Sequence, residues 1–203
     1  STDAGAKDIY EEAMHFPGMR VCQNHQPIKD IMRFLGYNIR YPEHWYGDFL
    51  AQLGSLWTAE KRVKGLCERF GTNLVKGCFS EALGYGERKM KEVIKKLPET
   101  EVDVSMTGEV FDDFFPNGVP LSLKLSIKPE EGLIEFDYTD MPDQKAFGYN
   151  LTYATARCSA LQGTLPILDP EIPTNDGALK RIKVKLREGS VAGIPNWPVG
   201  TSL

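Results

Sequence analysis

The sequence predicts an α+β protein, in which a long antiparallel helical hairpin precedes a mostly antiparallel sheet with one packed helix. Three patterns carry this prediction. Apolar residues recur at three- and four-residue steps from Glu43 to Leu97, apolar and polar residues alternate between Leu121 and Tyr138, and small residues are enriched from Asn150 to Gly163. We therefore expect a helical region over residues 1–100 and an α+β region over residues 101–203.

The composition is that of an ordinary globular protein. The chain has 203 residues, 41% of them hydrophobic and 26% charged, with a net charge of −4. This acidic balance argues against a nucleic-acid or anionic-membrane partner, and no apolar run is long enough for a membrane span. The four cysteines are scattered without a CxxC pair, so we expect reduced, mostly buried thiols in a cytoplasmic protein.

The N-terminal hundred residues predict four helices. A short helix from Asp8 to His15 ends at Phe16-Pro17-Gly18, and a second begins near Pro27 and ends at Gly36. The third runs from Glu43 to a C-cap at Gly71, and the fourth, capped by Thr72 or Asn73, runs to Pro98. Because a single glycine joins the two long helices, we predict that they form the hairpin.

Two glycines interrupt the fourth helix. Gly84 and Gly86 flank Tyr85, and each costs about 1 kcal/mol in a helix relative to alanine. Their presence predicts close packing or a kink at this point.

The second half of the chain predicts strands around one helix. Leu121 to Ile127 alternates with polar residues, Pro129 to Gly132 forms a turn, and Ile134, Phe136 and Tyr138 alternate again, which is typical of a β-hairpin with one solvated face. Asn150 to Gly163 predicts a closely packed helix, and Ile182, Val184 and Leu186 predict a further strand.

The turn Pro173-Thr174-Asn175-Asp176-Gly177 offers candidate site residues. Asn175 or Asp176 could hydrogen-bond a substrate amide or a metal-bound water, whereas the sequence alone favours a turn that caps its own backbone. The basic residues that follow form either an anion site or a face that is solvated or paired with acids; they are Lys180, Arg181, Lys183, Lys185 and Arg187.

Other polar groups give weaker indications. Five aspartates could hold a divalent ion but lack calcium-loop spacing, and turn roles are the commoner outcome; they are Asp112, Asp113, Asp137, Asp140 and Asp143. Glu60, Arg62, Glu87 and Arg88 could form a buried network between helices, although surface pairing is more common. Cys158 has no base nearby in sequence, so we expect a packing role for it.

Three ordered motifs together resemble the hydantoinase B/oxoprolinase family. They are Gly47-Asp48-Phe49-Leu50-Ala51-Gln52, the stretch from Glu60-Lys61-Arg62 to Tyr85-Gly86-Glu87-Arg88-Lys89-Met90, and Pro173-Thr174-Asn175-Asp176-Gly177 through Gly189-Ser190. The family includes N-methylhydantoinase B subunits, part of 5-oxoprolinase, and subunits of acetone and acetophenone carboxylases. Lys180-Arg181-Ile182 stands where the family commonly has Arg-Pro-Ile, and Gly193-Ile194-Pro195 replaces its Asn-Pro. Because family members are much longer, we expect this chain to be a central portion.

The resemblance implies a function for the parent enzyme. An A-type ATPase subunit would use ATP to activate a cyclic amide or a ketone, and the B-type subunit would complete C–N bond hydrolysis, or carboxylation, near a divalent metal. The resemblance predicts Asn175, Asp176 and Arg181 near that site and the helical hairpin in scaffold and subunit contacts, with a hetero-oligomer as the active form. We expect no metal ligand in this segment and no activity from the chain alone. A non-catalytic assembly module is the alternative.

Overall fold

The computed structural model describes residues 6–12, 14–16, 18–108 and 116–202. It is an α+β structure, as the sequence predicts. The helices are α1 (Ile9–Glu12), α2 (Lys29–Asn38), α3 (Pro42–Phe70), α4 (Thr72–Ile94), α5 (Tyr153–Thr164), which continues into a 3-10 turn at Leu165–Ile167, and α6 (Asp176–Leu179). The strands are β1 (Cys22–Gln23), β2 (Gln26–Pro27), β3 (Thr100–Gly108), β4 (Val119–Lys128), β5 (Leu133–Asp137), β6 (Asn150–Leu151), β7 (Ile182–Lys185) and β8 (Thr201–Ser202).

The chain divides into two compact units. The helical unit is His15–Ser80, and the sheet unit combines Ser1–Met14 with Glu81–Leu203. The boundary between them lies within α4. A division into two regions near residue 100 stays a prediction.

The helical unit is built on α3. This helix begins at Pro42, where the missing N–H of proline costs nothing, and ends at Gly71, whose φ of 83° suits glycine and whose N–H donates to the Cys67 carbonyl. The predicted C-cap at Gly71 is therefore confirmed. The helix α2 packs against α3 and continues through Gly36 to Asn38, so the prediction that it ends at Gly36 is wrong. The antiparallel pairing of α3 with α4 stays a prediction.

The sheet unit contains a four-stranded sheet in the order β3-β4-β5-β7. The predicted hairpin is confirmed: β4 and β5 pair antiparallel, with Ile127 opposite Ile134, and Gly132 turns the chain at a φ of 61°. The sequence reasoning missed β3, which pairs antiparallel with β4 along its whole length. It did predict β7, which pairs parallel to β5 and makes the sheet mixed.

One face of this sheet is apolar and packs against helices. The main core joins Met90 and Ile94 of α4 to Ile134 of β5, Ala178 of α6 and Ile182 of β7. Met90 and Ile94 have no exposed surface, so the second half of α4 is anchored in this core. Each such side chain stabilises the fold by roughly 2 kcal/mol through burial.

The predicted alanine-rich helix is α5. It begins after Thr152, whose side-chain oxygen accepts a hydrogen bond from the Thr155 N–H, and it buries Ala156 and Ala160. Small residues at these positions let the helix approach its neighbours closely, as the sequence indicates. A second core cluster forms around Val119, Met141, Phe147, Val191 and Ala192.

The cysteines differ from the expectation of mostly buried thiols. All four are unpaired; Cys22 and Cys67 are half-buried, while Cys78 and Cys158 are exposed. The Cys158 sulfur accepts a hydrogen bond from Gln162 at 3.5 Å, one turn along α5. Within the described ranges, no helix has both the length and the apolar character that crossing a membrane requires.

Candidate functional site

The Pro173–Gly177 turn starts the short helix α6 and docks it on α4. The Asn175 side chain accepts a hydrogen bond from the Ala178 N–H at 3.1 Å, which caps α6, and its amide donates to the Ala82 carbonyl of α4 at 3.0 Å. Both polar ends of Asn175 are therefore used within the chain. This is the turn-capping role that the sequence alone favours, and a catalytic role of Asn175 stays a prediction.

Two glycines allow this close approach. A Cβ atom at Gly86 would lie 2.3 Å from the Asn175 side-chain oxygen, and one at Gly177 would lie 1.9 Å from the Leu83 carbonyl oxygen. Both separations are too short for a Cβ, so an added methyl group would displace the Asn175 side chain at Gly86 and would clash with fixed backbone at Gly177. The predicted close packing at Gly86 is thus confirmed, and its partner is the Asn175 turn.

Asp176 is the exposed member of the predicted triad. It occupies the first turn of α6, where a carboxylate suits the positive end of a helix. Its position beside Gly177 places it on the solvent side of the docked turn.

Arg181 forms an ion pair with α4 from the short connection between α6 and β7. It lies directly before β7, and its guanidinium donates to the Glu87 carboxylate of α4. Among the described residues, the Arg181 Nε–H is buried and has no hydrogen-bond partner. A buried unpaired donor costs about 1–3 kcal/mol, so an oxygen from a substrate or from another part of the assembly would be stabilised there.

Two further cations of the basic strand, Lys185 and Arg187, are paired within the chain. Lys185 contacts Glu135 at 2.6 Å and Asp137 at 3.7 Å, and the pKa of Lys185 is raised chiefly by the hydrogen bond to Glu135. Arg187 contacts Asp143 at 2.9 Å and donates to two backbone carbonyls. These two cations therefore serve the sheet unit itself, and Arg181 is the basic residue of this group with a buried N–H still to satisfy.

Two of the candidate metal carboxylates, Asp137 and Asp143, have other partners within the chain. Asp137 accepts from the Thr139 hydroxyl at 2.6 Å and from the Thr139 N–H at 3.0 Å, which lower the pKa of Asp137. Asp112 and Asp113 lie outside the described residues. Across the described ranges, no three His, Cys, Asp or Glu side chains come together as metal ligands do, so we assign no metal ligand here.

The charged residues of the long helices form separate surface pairs. In the helical unit, Glu60 accepts from Lys64 and from His25, and these hydrogen bonds lower the pKa of Glu60 to about 2. In the sheet unit, Arg88 pairs with the exposed Glu81. Glu60 and Arg88 thus each take part in a surface pair within their own unit, the commoner outcome for such charges, and a buried network between the helices stays a prediction.

The structure also shows one cluster that sequence reasoning missed. His25 packs edge-on against Trp57 with ring centroids 5.7 Å apart, beside Glu60, and these side chains line an open cleft of about 620 Å³ in the helical unit. No local sequence pattern predicts this contact, because His25 and Glu60 are 35 positions apart.

Comparison with known proteins defines the class to which this fold and turn belong. The model of the family described as hydantoinase B/oxoprolinase matches residues 1–202. A putative B-type subunit of a D-/L-hydantoinase from a Pseudomonas species is 26% identical over 211 residues, covering 97% of this chain and 34% of that protein.

Two solved structures share the fold. The ATP-dependent caprolactamase from Pseudomonas jessenii superposes with a TM-score of 0.77 at 21% identity, covering 95% of this chain and 32% of that one. The nucleotide-free structure of an ATP-dependent acetone carboxylase gives a TM-score of 0.78 at 17% identity, covering 97% of this chain and 27% of that one.

The chain belongs to the hydantoinase B/oxoprolinase family. It spans about a third of the length of the hydantoinase relative that it matches. The resemblance seen in the three sequence motifs is thereby confirmed.

Proposed function

We propose that this chain forms part of a B-type subunit of an ATP-dependent cyclic amidohydrolase, which hydrolyses the C–N bond of a cyclic amide. The observation that carries the proposal is the family match over residues 1–202. The hydantoinase relative supports the same interpretation, since it aligns with nearly the whole chain. The active form is a cytoplasmic hetero-oligomer with an A-type ATPase subunit.

The chemistry explains why two kinds of subunit are needed. An unstrained amide is a poor electrophile, and transfer of a phosphoryl group from ATP to its oxygen, with release of ADP, makes the amide carbon electrophilic. Water adds to that carbon, the C–N bond breaks as the nitrogen leaves as an amine, and a second water hydrolyses the resulting acyl phosphate to a carboxylate and inorganic phosphate. Positioned hydrogen-bond donors stabilise the negative charge that develops in these steps. The part assigned to this chain is to supply such a donor and to hold it in place.

Arg181 is the residue best suited to that task. Its Nε–H is buried and unpaired among the described residues, and it can therefore donate to a phosphate or carboxylate oxygen. Glu87 fixes the other side of the guanidinium, so the donor keeps one orientation. We propose that Arg181 contacts the activated substrate or its product carboxylate.

Asn175 and Asp176 have different proposed roles. Asn175 acts as a positioning residue, because its two hydrogen bonds hold α6 on α4 and thereby place the start of β7, where Arg181 lies. Asp176 is exposed on that turn and can face a partner or a substrate group.

The proposal is tested in the complete enzyme, with its A-type subunit. Arg181→Lys keeps the charge but removes the Nε–H, and we expect it to lower kcat/KM for a cyclic amide about 100-fold, equivalent to about 2.7 kcal/mol. Lys183→Gln, a neighbouring change in the same basic strand, serves as the matched control and should stay within a few-fold of the parent. Equal activity of the Arg181→Lys and parent enzymes at equal folded concentration would remove Arg181 from the site.

A carboxylase is the second candidate, and the fold shared with acetone carboxylase favours it. The same preparation distinguishes the two. ATP-dependent loss of a cyclic amide without bicarbonate supports hydrolysis, whereas ATP turnover that requires both a ketone and bicarbonate supports carboxylation. If the complete enzyme turns over neither substrate class and only its assembly fails on deletion of this segment, the segment is an assembly module.

A further inference from the structure

One side of α3 carries an exposed row of apolar residues. The row follows steps of three and four residues, and we call it the α3 seam; it consists of Leu56, Ala59, Val63, Leu66 and Phe70. All five are exposed, and Leu56 keeps 63% of its surface accessible. Burial of such a row in an interface would contribute roughly 1 kcal/mol or more of stabilisation per large side chain.

The same spacing continues towards the start of the helix. Trp45, Phe49 and Gln52 precede the seam at steps of four, three and four residues, so the pattern covers residues 45–70. Apolar residues at alternating three- and four-residue steps over more than three heptads are the signature of a coiled-coil interface.

The seam is distinct from the face that α3 buries. Leu53 is buried and Trp57 is half-buried, and these residues lie roughly 100° or more around the helix from the centre of the seam. The helical unit therefore uses one face of α3 for its own packing and leaves a second apolar face exposed from Leu56 to Phe70. At the start of the row Trp45 and Phe49 are half-buried, and their rings stack with centroids 5.5 Å apart.

We propose that a second copy of this chain covers the seam, with the two α3 helices paired as an antiparallel coiled coil. The pattern is self-complementary in one register, which places Ala59 against Leu56 of the second copy. In that register Phe70 meets Trp45, and Leu66 meets Phe49, at both ends of the pair. The overlap is then the whole of residues 45–70, a length of about 39 Å.

Two further features select this register. Gln52, the single polar residue in the row, meets Val63, and a lone polar core position disfavours shifted alignments. Asp48 directly precedes Phe49, and Arg69 directly precedes Phe70, so both residues lie at the side of the row. The antiparallel register brings Asp48 of each copy beside Arg69 of the other copy. The Arg69 guanidinium already lies over the Phe70 ring, 4.8 Å from its centroid, at the edge of the seam.

A parallel pair lacks this complementarity. In a parallel coiled coil, a residue at the position of Asp48 faces the residue five places further along the other helix. That residue is Leu53, which is not a cation. The pairing of opposite charges therefore favours the antiparallel arrangement.

The first test measures the mass of the full chain in solution by light scattering. The parent chain should have twice the mass of one copy, and Val63→Glu, which puts a charge into the seam, should have the mass of a single copy. Leu50→Glu is the matched control, because Leu50 is an exposed apolar residue of α3 outside the seam, and it should stay dimeric. Circular dichroism shows whether each variant keeps its helices.

The second test uses charge reversal at exposed positions, which leaves the folded chain unchanged. Asp48→Arg and Arg69→Asp should each raise the dimer dissociation constant about 10-fold, and the double variant Asp48→Arg/Arg69→Asp should restore it. A monomeric parent chain overturns the proposal, as does a double variant no tighter than the single ones. A dimer that survives Val63→Glu shows that another surface joins the copies and also overturns it.

Discussion

At the scale of single residues, the contact between α6 and α4 depends on two positions without side chains. Gly177 lies against the backbone of Leu83, and Gly86 lies against the side chain of Asn175. Backbone atoms cannot move aside as flexible side chains can, so the tolerance for added atoms differs between the two sites.

Substitution of glycine by alanine should therefore lower the free energy of unfolding only where other atoms already occupy the position of the added Cβ. We expect Gly177→Ala to lower the free energy of unfolding by about 3 kcal/mol, because its Cβ would lie 1.9 Å from the Leu83 carbonyl oxygen. Gly77→Ala in α4 is the control: its Cβ meets no atom within 4 Å, and it should gain up to about 1 kcal/mol. Urea unfolding of both variants measures the difference, and equal stabilities would contradict the docking of α6 on α4.

Asn175 gives a second prediction at this scale. Asn175→Ala removes the cap of α6, worth about 1 kcal/mol, and the hydrogen bond to Ala82, worth about 1 kcal/mol more. Asn175→Asp keeps the capping oxygen and loses only the amide donor, so it should cost less. Thermal unfolding of the two variants, with exposed Thr174→Ala as control, checks this order. A loss of turnover in Asn175→Ala without loss of stability would instead support the catalytic role.

At the scale of elements, the polar face of the sheet shows how strands pair by charge. The register places Asp103, Lys124, Asp137 and Lys185 side by side on the four strands β3, β4, β5 and β7. Acidic and basic strands therefore alternate across the sheet. Neighbouring opposite charges each contribute up to about 1 kcal/mol and disfavour shifted registers.

The pH dependence of this face follows from Asp137. The hydrogen bond from the Thr139 hydroxyl is the main cause of the lowered pKa of Asp137. The ionised carboxylate therefore stabilises the fold fully above its ordinary pKa of 3.8, and this contribution is lost as the pH falls through the lower pKa of the folded state. Thr139→Val should raise the pKa of Asp137 and reduce stability at neutral pH, with the difference shrinking below pH 3.8. Thr139→Ser, which keeps the hydroxyl, should behave as the parent chain does. Carboxyl NMR titration and urea unfolding at several pH values measure both effects.

Most elements could be predicted from the sequence because their patterns are local. The cap at Gly71, the hairpin of β4 and β5 and the small-residue helix α5 each follow from residues a few positions apart. The strand β3 was not predicted from the sequence, although Val102, Val104 and Met106 alternate with polar residues. In the structure β3 lies at the edge of the sheet with these three side chains exposed. Its pairing with β4 depends on residues nearly thirty positions away at its start, such as Ile127 opposite Thr100.

At the scale of the whole molecule, the chain exposes much apolar surface. Exposed side chains include Leu56 and Phe70 on α3, Phe79 on α4 and Met106 on β3. Apolar surface of this extent is typical of proteins that bind partners.

The proposed assembly predicts a change in stability on nucleotide binding. A ligand that binds the native complex raises its unfolding temperature by mass action. We expect ATP to raise the unfolding temperature of the complete B-type subunit only when the A-type subunit is present. Calorimetry with and without that partner tests this, and a shift in the isolated B-type subunit would place a nucleotide site where we propose none.

The sequence by itself determined the family, the fold class and the candidate turn, because motif order, periodicity and turn chemistry depend on residues that are close together in the sequence. Only the tertiary structure decided what the turn does. Asn175 and Ala82 are 93 positions apart, and Arg181 meets Glu87 across 94 positions. Such contacts arise because the core around Met90 and Ile182 brings α4 and β7 together. The spacing of residues within either segment does not predict which other segment it packs against.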